Sequence, residues 1–196
     1  MASIGLSKPY VAKYAVESGT VSYSDGTVLG GAVDFSASIE SGDDNNLYAD
    51  NGVKESDRGF TKGTLSITTD DLTQEGSALI LGITESAVTV EGLTEVKELI
   101  YNDDMSVPYL GFGVIIKKKK NGVYKYRAVV FTKIMFNLPE DAASTQEDTI
   151  EWKTPVLEAT IMRDDSSKHA WKRESTFSSE ADAESYIKGC LNITAV

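Results

Sequence analysis

The chain has one cysteine, one histidine and four prolines among 196 residues. A lone cysteine, Cys190, excludes an internal disulfide framework. A lone histidine, His169, excludes a His/Cys metal cluster and leaves no Cys–His pair on adjacent segments for nucleophilic catalysis. No window approaches ~18 consecutive apolar residues, and Met1–Pro9 has no basic stretch followed by an apolar run. Neither a membrane span nor a signal peptide is expected, and the protein is expected to stay in a cytoplasm-like compartment. Positive charge is also scarce: 19 Lys and Arg against 30 Asp and Glu give a net charge of −11, which argues against adhesion to phosphate backbones or anionic lipid.

Chemistry-bearing motifs are missing as well. There is no G-x-S-x-G elbow and no Walker loop. Gly111-Phe112-Gly113 begins a G-x-G but runs on into Val114-Ile115-Ile116, so it fits a bend or a close backbone approach in a strand and not a dinucleotide site. The doublets Asp43-Asp44, Asp70-Asp71, Asp103-Asp104 and Asp164-Asp165 match no calcium loop and fall where strands end, as turn-forming Asp does. His169 is expected at the surface, Cys190 in the core, and Asn192-Ile193-Thr194 is a glycosylation sequon without a secretory context. No catalytic residue, cofactor site or metal site is expected, and an enzyme is the least favoured class.

What the chain has in abundance is alternation. The segment Pro108–Leu138 predicts a long β-hairpin turning at Asn121-Gly122, because both residues accept the positive φ of a type I′ turn. On its returning arm, Tyr124, Tyr126, Ala128, Val130, Thr132, Ile134 and Phe136 share a face expected to be core. The opposite face is apolar at Val129 and Phe131, which therefore need a cover, and so long an arm suggests a neighbouring subunit. Other expected strands are residues 7–16 (at an edge), Val33–Glu40 after a turn at Gly26–Gly31, Phe60–Thr69, Val88–Gly92, Val96–Tyr101, Thr149–Met162 with a phase change at Pro155, and one through Trp171 and Phe177. Asp71 with Gln74 predicts the cap of a short helix carrying Leu72, Leu79 and Ile83, and Ser179 with Asp182 opens a C-terminal helix over 179–191 whose stripe is Ala183, Tyr186, Ile187, Cys190 and Leu191. The tail from Asn192 to Val196 fits a last strand or an arm. Residues 41–59, rich in Asp and Asn with Leu47, Tyr48 and Val53 as apolar anchors, read as one long, mobile loop, and 139–147 as a second polar loop. The fold class is mainly β, a sandwich or barrel with two short helices packed on it, forming one domain over 1–196.

Charge is uneven. Residues 1–106 hold 6 basic and 18 acidic side chains, and 107–196 hold 13 and 12. Such polarity suits head-to-tail stacking; equally, Lys117, Lys118, Lys119 and Lys120 fit a solvated hairpin tip.

Several stretches together resemble the major tail proteins of bacteriophages with long, non-contractile tails that infect Gram-positive bacteria. They are Pro108-Tyr109-Leu110-Gly111-Phe112-Gly113, Lys117–Gly122 and Tyr124–Val129. Supporting runs are Leu47–Asp50 with Glu55-Ser56-Asp57, Gly63–Ile67 ahead of Asp71-Leu72, Thr154–Thr160 and the capped final helix. The resemblance covers nearly the whole chain, without the extra immunoglobulin-like domain of some relatives. It implies a virion tail-tube subunit, assembled in the host cytoplasm, that forms hexameric rings. The rings stack into a tube with one continuous inner β-barrel, through which genomic DNA passes without specific binding. Implied partners are the chain itself, the tape measure protein, and the tail terminator and distal tail proteins; no membrane and no cofactor are implied. The subunit interface is expected at Leu47, Tyr48, Asp50, Glu55 and Asp57 in the 41–59 loop, at Lys117–Lys120, and at Val129 and Phe131. Alternatives are a tube subunit of a phage-like bacteriocin or contractile injection system and, in a different class, a monomeric ligand-binding β-barrel.

Overall fold

The computed structural model describes residues 1–42, 45–57, 59–93, 96–140 and 153–194. The fold is mainly β, with two short helices. Its spine is the expected hairpin. Strand β9 (Leu110–Lys120) pairs with β10 (Val123–Phe136), closed by Asn121 at φ 50° and Gly122 at φ 80°, the two positive angles a type I′ turn requires.

Around this spine lies a single antiparallel sheet in the order β2-β1-β9-β10-β11-β6-β3. The flanking strands are β1 (Ala2–Glu17), β2 (Thr20–Val28), β3 (Ala32–Ser41), β6 (Phe60–Thr69) and β11 (Val156–Met162). β12 (Lys172–Phe177) also pairs with β10. It takes the Tyr126–Phe131 half of that edge and β11 the Lys133–Phe136 half. The split falls at Thr132, whose N–H donates to the Trp171 carbonyl at 3.3 Å and whose hydroxyl donates to the Ala170 carbonyl at 2.7 Å. Smaller ribbons are β4 (Asn45–Ala49) with β5 (Gly52–Asp57), and β7 (Glu85–Val88) with β8 (Val96–Leu99).

The sheet curls back on itself, so that β3 crosses over β1 and Phe35 lies 6.1 Å from the Phe112 ring and 6.3 Å from Phe131. The space enclosed is filled with Leu65, Ile67, Phe112, Phe131, Phe136 and Leu157, each 1% exposed or less. On the other face, helix α2 (Glu180–Cys190) lays Ala183 and Ile187, with Leu191 just beyond, over Tyr10, Ala12, Ile115, Ala128 and Val130. Helix α1 (Gln74–Leu81) plugs one end of the first core with Ile80 and Leu81.

Several expectations are corrected. Val129 and Phe131, 2% and 1% exposed, are covered by the chain's own β3 and not by another subunit. A register shift between Phe131 and Ile134 also moves Ile134 and Phe136 into the core of Val129, while Ala128 and Val130 stay under α2; the seven-residue face is thus two faces joined by a bulge. Tyr124, placed in that core, is 43% exposed. Strand β1 is not an edge. It pairs with both β2 and β9, and it passes Pro9 through a register shift where Lys8 takes φ 54°, so the missing N–H removes no ladder bond there. The Gly26–Gly31 turn is shorter than expected, because β2 runs to Val28. Within the expected 41–59 loop the described residues form a hairpin, β4 with β5, closed by Asp50 and Asn51 at φ 52° and 62°. The first helix is capped by Thr73, whose hydroxyl accepts the Gly76 N–H at 3.1 Å, and not by Asp71, and Leu72 and Leu79 are only partly buried. The strand expected at Val88–Gly92 lies instead at Glu85–Val88. Cys190 is half-buried, and Pro155 sits just ahead of β11, its carbonyl accepting the Thr69 N–H. After α2, Leu191 and Asn192 form a turn, the Ile193 N–H donates to the Lys188 carbonyl at 2.9 Å and Asn192 to Thr194 are not in a strand, while the end of the expected tail, 195–196, lies outside the described residues. The expected strand stretch around Ile150 and Trp152, most of the 139–147 loop and the Asp43-Asp44 doublet lie outside the described residues.

Candidate assembly surfaces

The hairpin tip is a three-stranded ribbon. Beyond the reach of β2 and β12, the start of β1 runs along β9, with Ala2 opposite Lys119, Ser3 opposite Lys118 and Gly5 opposite Lys117. On one face of this ribbon the ammonium groups of Lys117 and Lys119 lie 4.9 and 4.8 Å from the Tyr124 ring centre, and Lys117 lies 5.8 Å from Tyr126. Cation–π contact of this kind holds long side chains in place without neutralising them. On the other face Lys118 stands directly opposite Lys125. None of Lys117 to Lys120 makes a salt bridge among the described residues, and Lys125 donates only to the Ser178 hydroxyl at 2.9 Å.

The second exposed element is the β4–β5 hairpin. Leu47, Tyr48 and Val53 are 56%, 67% and 54% exposed, and Asp50 and Glu55 are also on the surface. Asp57 ends β5. The structure therefore exposes Leu47, Tyr48, Asp50, Glu55, Lys119 and Lys120, leaves Lys117 and Lys118 half-buried, and withdraws Val129 and Phe131 from the expected interface.

Sequence reasoning missed a third feature. Among the described residues the sheet ends at β2 and β3, and β12 has a partner on one side only. β3 is ten residues long, holds neither Lys nor Pro, and shows Val33 and Ile39 at 54% and 40% exposure. Its charges, Asp34 and Glu40, and its register shifts fall near its two ends, and the Phe35–Ile39 stretch between them carries neither. The alternation of Val33–Glu40 was readable; its place at the end of the sheet was not.

By contrast, charges at the α2 seam are firmly paired. Glu184 accepts from Lys188 at 2.8 Å and from the Tyr10 hydroxyl at 2.7 Å, and also pairs with Lys8. Those donors, Lys188 first, hold its carboxyl down at about 2. Lys172, at 2.6 Å, and Arg127 do the same for Glu174 on β12, also about 2. Two of the acidic doublets act in turns: Asp70 accepts the Gly31 N–H at 2.6 Å, and Asp164 accepts both the N–H and the hydroxyl of Ser166. His169 is exposed, at φ 48° in that same turn. Among the described residues no group of three or more His, Cys, Asp or Glu could hold a metal ion, and no helix is long and apolar enough to cross a membrane. No protein-family model matches the chain, and no curated protein matches it.

Proposed function

We propose that the protein is a structural, self-assembling subunit: the major tail protein of a bacteriophage with a long non-contractile tail, forming stacked hexameric rings. The observation that carries this reading is the open sheet. One copy buries its core fully yet, among the described residues, leaves β2, β3 and β12 with one side unpaired, and a neighbour's strands can complete them. Closing such edges between copies yields a barrel larger than any one chain. The filled interior, packed with phenylalanines, favours this over a ligand-binding barrel, which needs a hollow.

A surface suited to face DNA is present. Across β3, β6 and β11, Ser36, Ser66 and Glu158 form one row, and Ser38, Thr64 and Thr160 the next, on the side away from Leu65 and Leu157. In these two rows small hydroxyls and a carboxylate offer phosphates no cation to replace their counterions, and in the next row Lys62 is already paired with Glu40 at 3.5 Å, so DNA slides past without sticking. In this reading the lumen takes its character from that face, and the tape measure, terminator and distal tail proteins meet the tube at its inside and ends.

The test is electron microscopy of the purified protein over a range of concentrations. Six-fold rings or tubes of uniform diameter are expected. A protein that stays a monomer at every concentration and forms no cylinders refutes the proposal.

A further inference from the structure

The two charge extremes of the chain lie at opposite ends of one strand. Residues 117–127 contain six basic side chains and no acidic one. Residues 70–104 contain nine acidic side chains and one basic, and that one, Lys97, is already held by Glu85 at 3.0 Å. The acidic segment forms a lobe of α1, β7 and β8, tied together by the Gln74 side chain donating to the Lys97 carbonyl at 3.2 Å. It abuts the chain entering β9, where Gly82 packs on Ser106 and Pro108. From Leu110 to Lys120 the strand then runs roughly 33 Å, at about 3.3 Å per residue, to the cationic tip.

No copy can bring its own tip to its own lobe across that distance. At the tip, Lys118 and Lys125 face each other directly, an arrangement that destabilises a sheet unless something anionic relieves it, and nothing in the described residues does. At the lobe, Glu98, Asp103 and Asp104 are exposed beside apolar Ile100 and Tyr101, 51% and 58% exposed. The tip offers matching apolar surface in Val123 and Ile4, 55% and 50% exposed.

We infer that the cationic ribbon of one copy docks onto the acidic α1–β7–β8 lobe of a second copy. The two patches differ and lie at opposite ends, so the contact is heterologous and repeats without closing, copy upon copy along the direction of β9. Exposed ion pairs are individually weak, which suits a contact made in parallel by every subunit of a ring. The inference rests on the tube reading for that parallelism, but the docking itself does not require a tube.

Three full-length variants test it: a tip variant (Lys118→Glu, Lys120→Glu, Lys125→Glu), a lobe variant (Glu98→Lys, Asp103→Lys, Asp104→Lys), and a chain carrying all six changes. Circular dichroism checks folding, and sedimentation velocity with microscopy at low salt reads assembly. The tip variant alone and the lobe variant alone are expected to associate about tenfold or more weakly than wild type. An equimolar mixture of the two should assemble, alternating, because each reversed patch then meets its complement. The six-change chain should assemble by itself. If either triple variant assembles as well as wild type, or the mixture does no better than its components, the docking is wrong. If tubes grow regardless of these charges, the tube survives and the docking falls. If oligomers obey the charge reciprocity but never form rings, the docking survives and the tube falls. Should wild type bind a short DNA duplex through Lys118 and show no self-association, the second copy is the wrong occupant. Where a triple variant misfolds, Lys118→Glu and Asp103→Lys singly make the same comparison.

Discussion

Gly113→Ala should damage the protein although alanine suits a strand better than glycine does. A Cβ built at Gly113 falls 2.5 Å from Ile187 Cγ2 on α2, and one at Gly111 falls 2.5 Å from Leu191 Cδ2 and 2.6 Å from Tyr23 Cε1. Helix α2 rests on bare backbone at both places. Relieving glycine's entropy returns roughly 0.5–1 kcal/mol, whereas forcing one extra carbon into a filled core costs about 1–3 kcal/mol. Burial of Ile187 at 0% exposure, against a sheet carrying the second core, leaves little room for the helix to yield, so the cost should win. For a domain of this size each kcal/mol is worth about 2–4 °C, and a net loss of ~1–2 kcal/mol predicts a Tm lowered by roughly 2–8 °C. Gly5→Ala is the control, since its nearest neighbour would be the Lys117 Cβ at 3.6 Å, an ordinary contact. That variant should be neutral or slightly stabilising. Thermal and urea unfolding of dilute, unassembled protein give both values, and pairing Gly113→Ala with Ile187→Ala should cost less than the two singles added. If Gly113→Ala unfolds like Gly5→Ala, α2 does not sit on the sheet as described.

Further outcomes follow from the same packing. Phe131→Ala should cost about 3–5 kcal/mol in urea unfolding of the monomer, while Tyr48→Ser should stay within ~0.5 kcal/mol there and act only on assembly, read by sedimentation. Glu184 and Glu174 are held near 2, below the ordinary 4.5, so their contribution is complete above about pH 4.5 and disappears as pH falls toward 2. Tm measured from pH 7 to 2.5 should drop across that interval, and less steeply in Glu184→Gln. Ser179→Ala removes the hydroxyl that accepts the Asp182 N–H at 3.1 Å and should lower stability by ~1 kcal/mol. Ser66→Lys with Thr64→Lys should leave tubes intact and make them retain DNA at low salt; tubes that retain none would place that face elsewhere.

Local signals carried much of the architecture. Asn121-Gly122 announced its hairpin because that pair prefers positive φ, and Ser179 with Asp182 announced α2 because cap and stripe agree. Gly111 and Gly113 read as a close approach, and the structure supplies the approaching side chains. Two other type I′ turns went unread. Ser18-Gly19, between β1 and β2, and Asp50-Asn51 have the same positive angles, but Ser and Asp tolerate them less obviously than Asn-Gly does, and the polarity around Asp50 outweighed its turn geometry. The cover over Phe131 was illegible for a different reason. Phe35 lies nearly a hundred residues earlier, and nothing in local alternation states which distant strand folds over which. Acidity in residues 70–104 was countable; that it gathers at the far end of β9 from the lysines depends on the tertiary path.

Once Val129 and Phe131 are withdrawn, the surfaces left for assembly differ in direction and in chemistry. The strand edges at β2, β3 and β12 run along the sides of the sheet, and backbone pairing there is local hydrogen bonding that salt scarcely touches. The lysine tip and acidic lobe lie at the ends of β9, and their attraction is exposed and screened within ~8 Å at 0.15 M ionic strength. Lateral pairing rotates one copy to the next and can close a ring, whereas end-to-end docking translates and cannot. Rising salt should therefore separate the two contacts, releasing intact rings from stacks well before rings fall to monomers. Sedimentation across a salt series reads this directly: a ring-sized species at intermediate salt is expected, and a direct passage from tubes to monomers would mean that one kind of contact serves both directions.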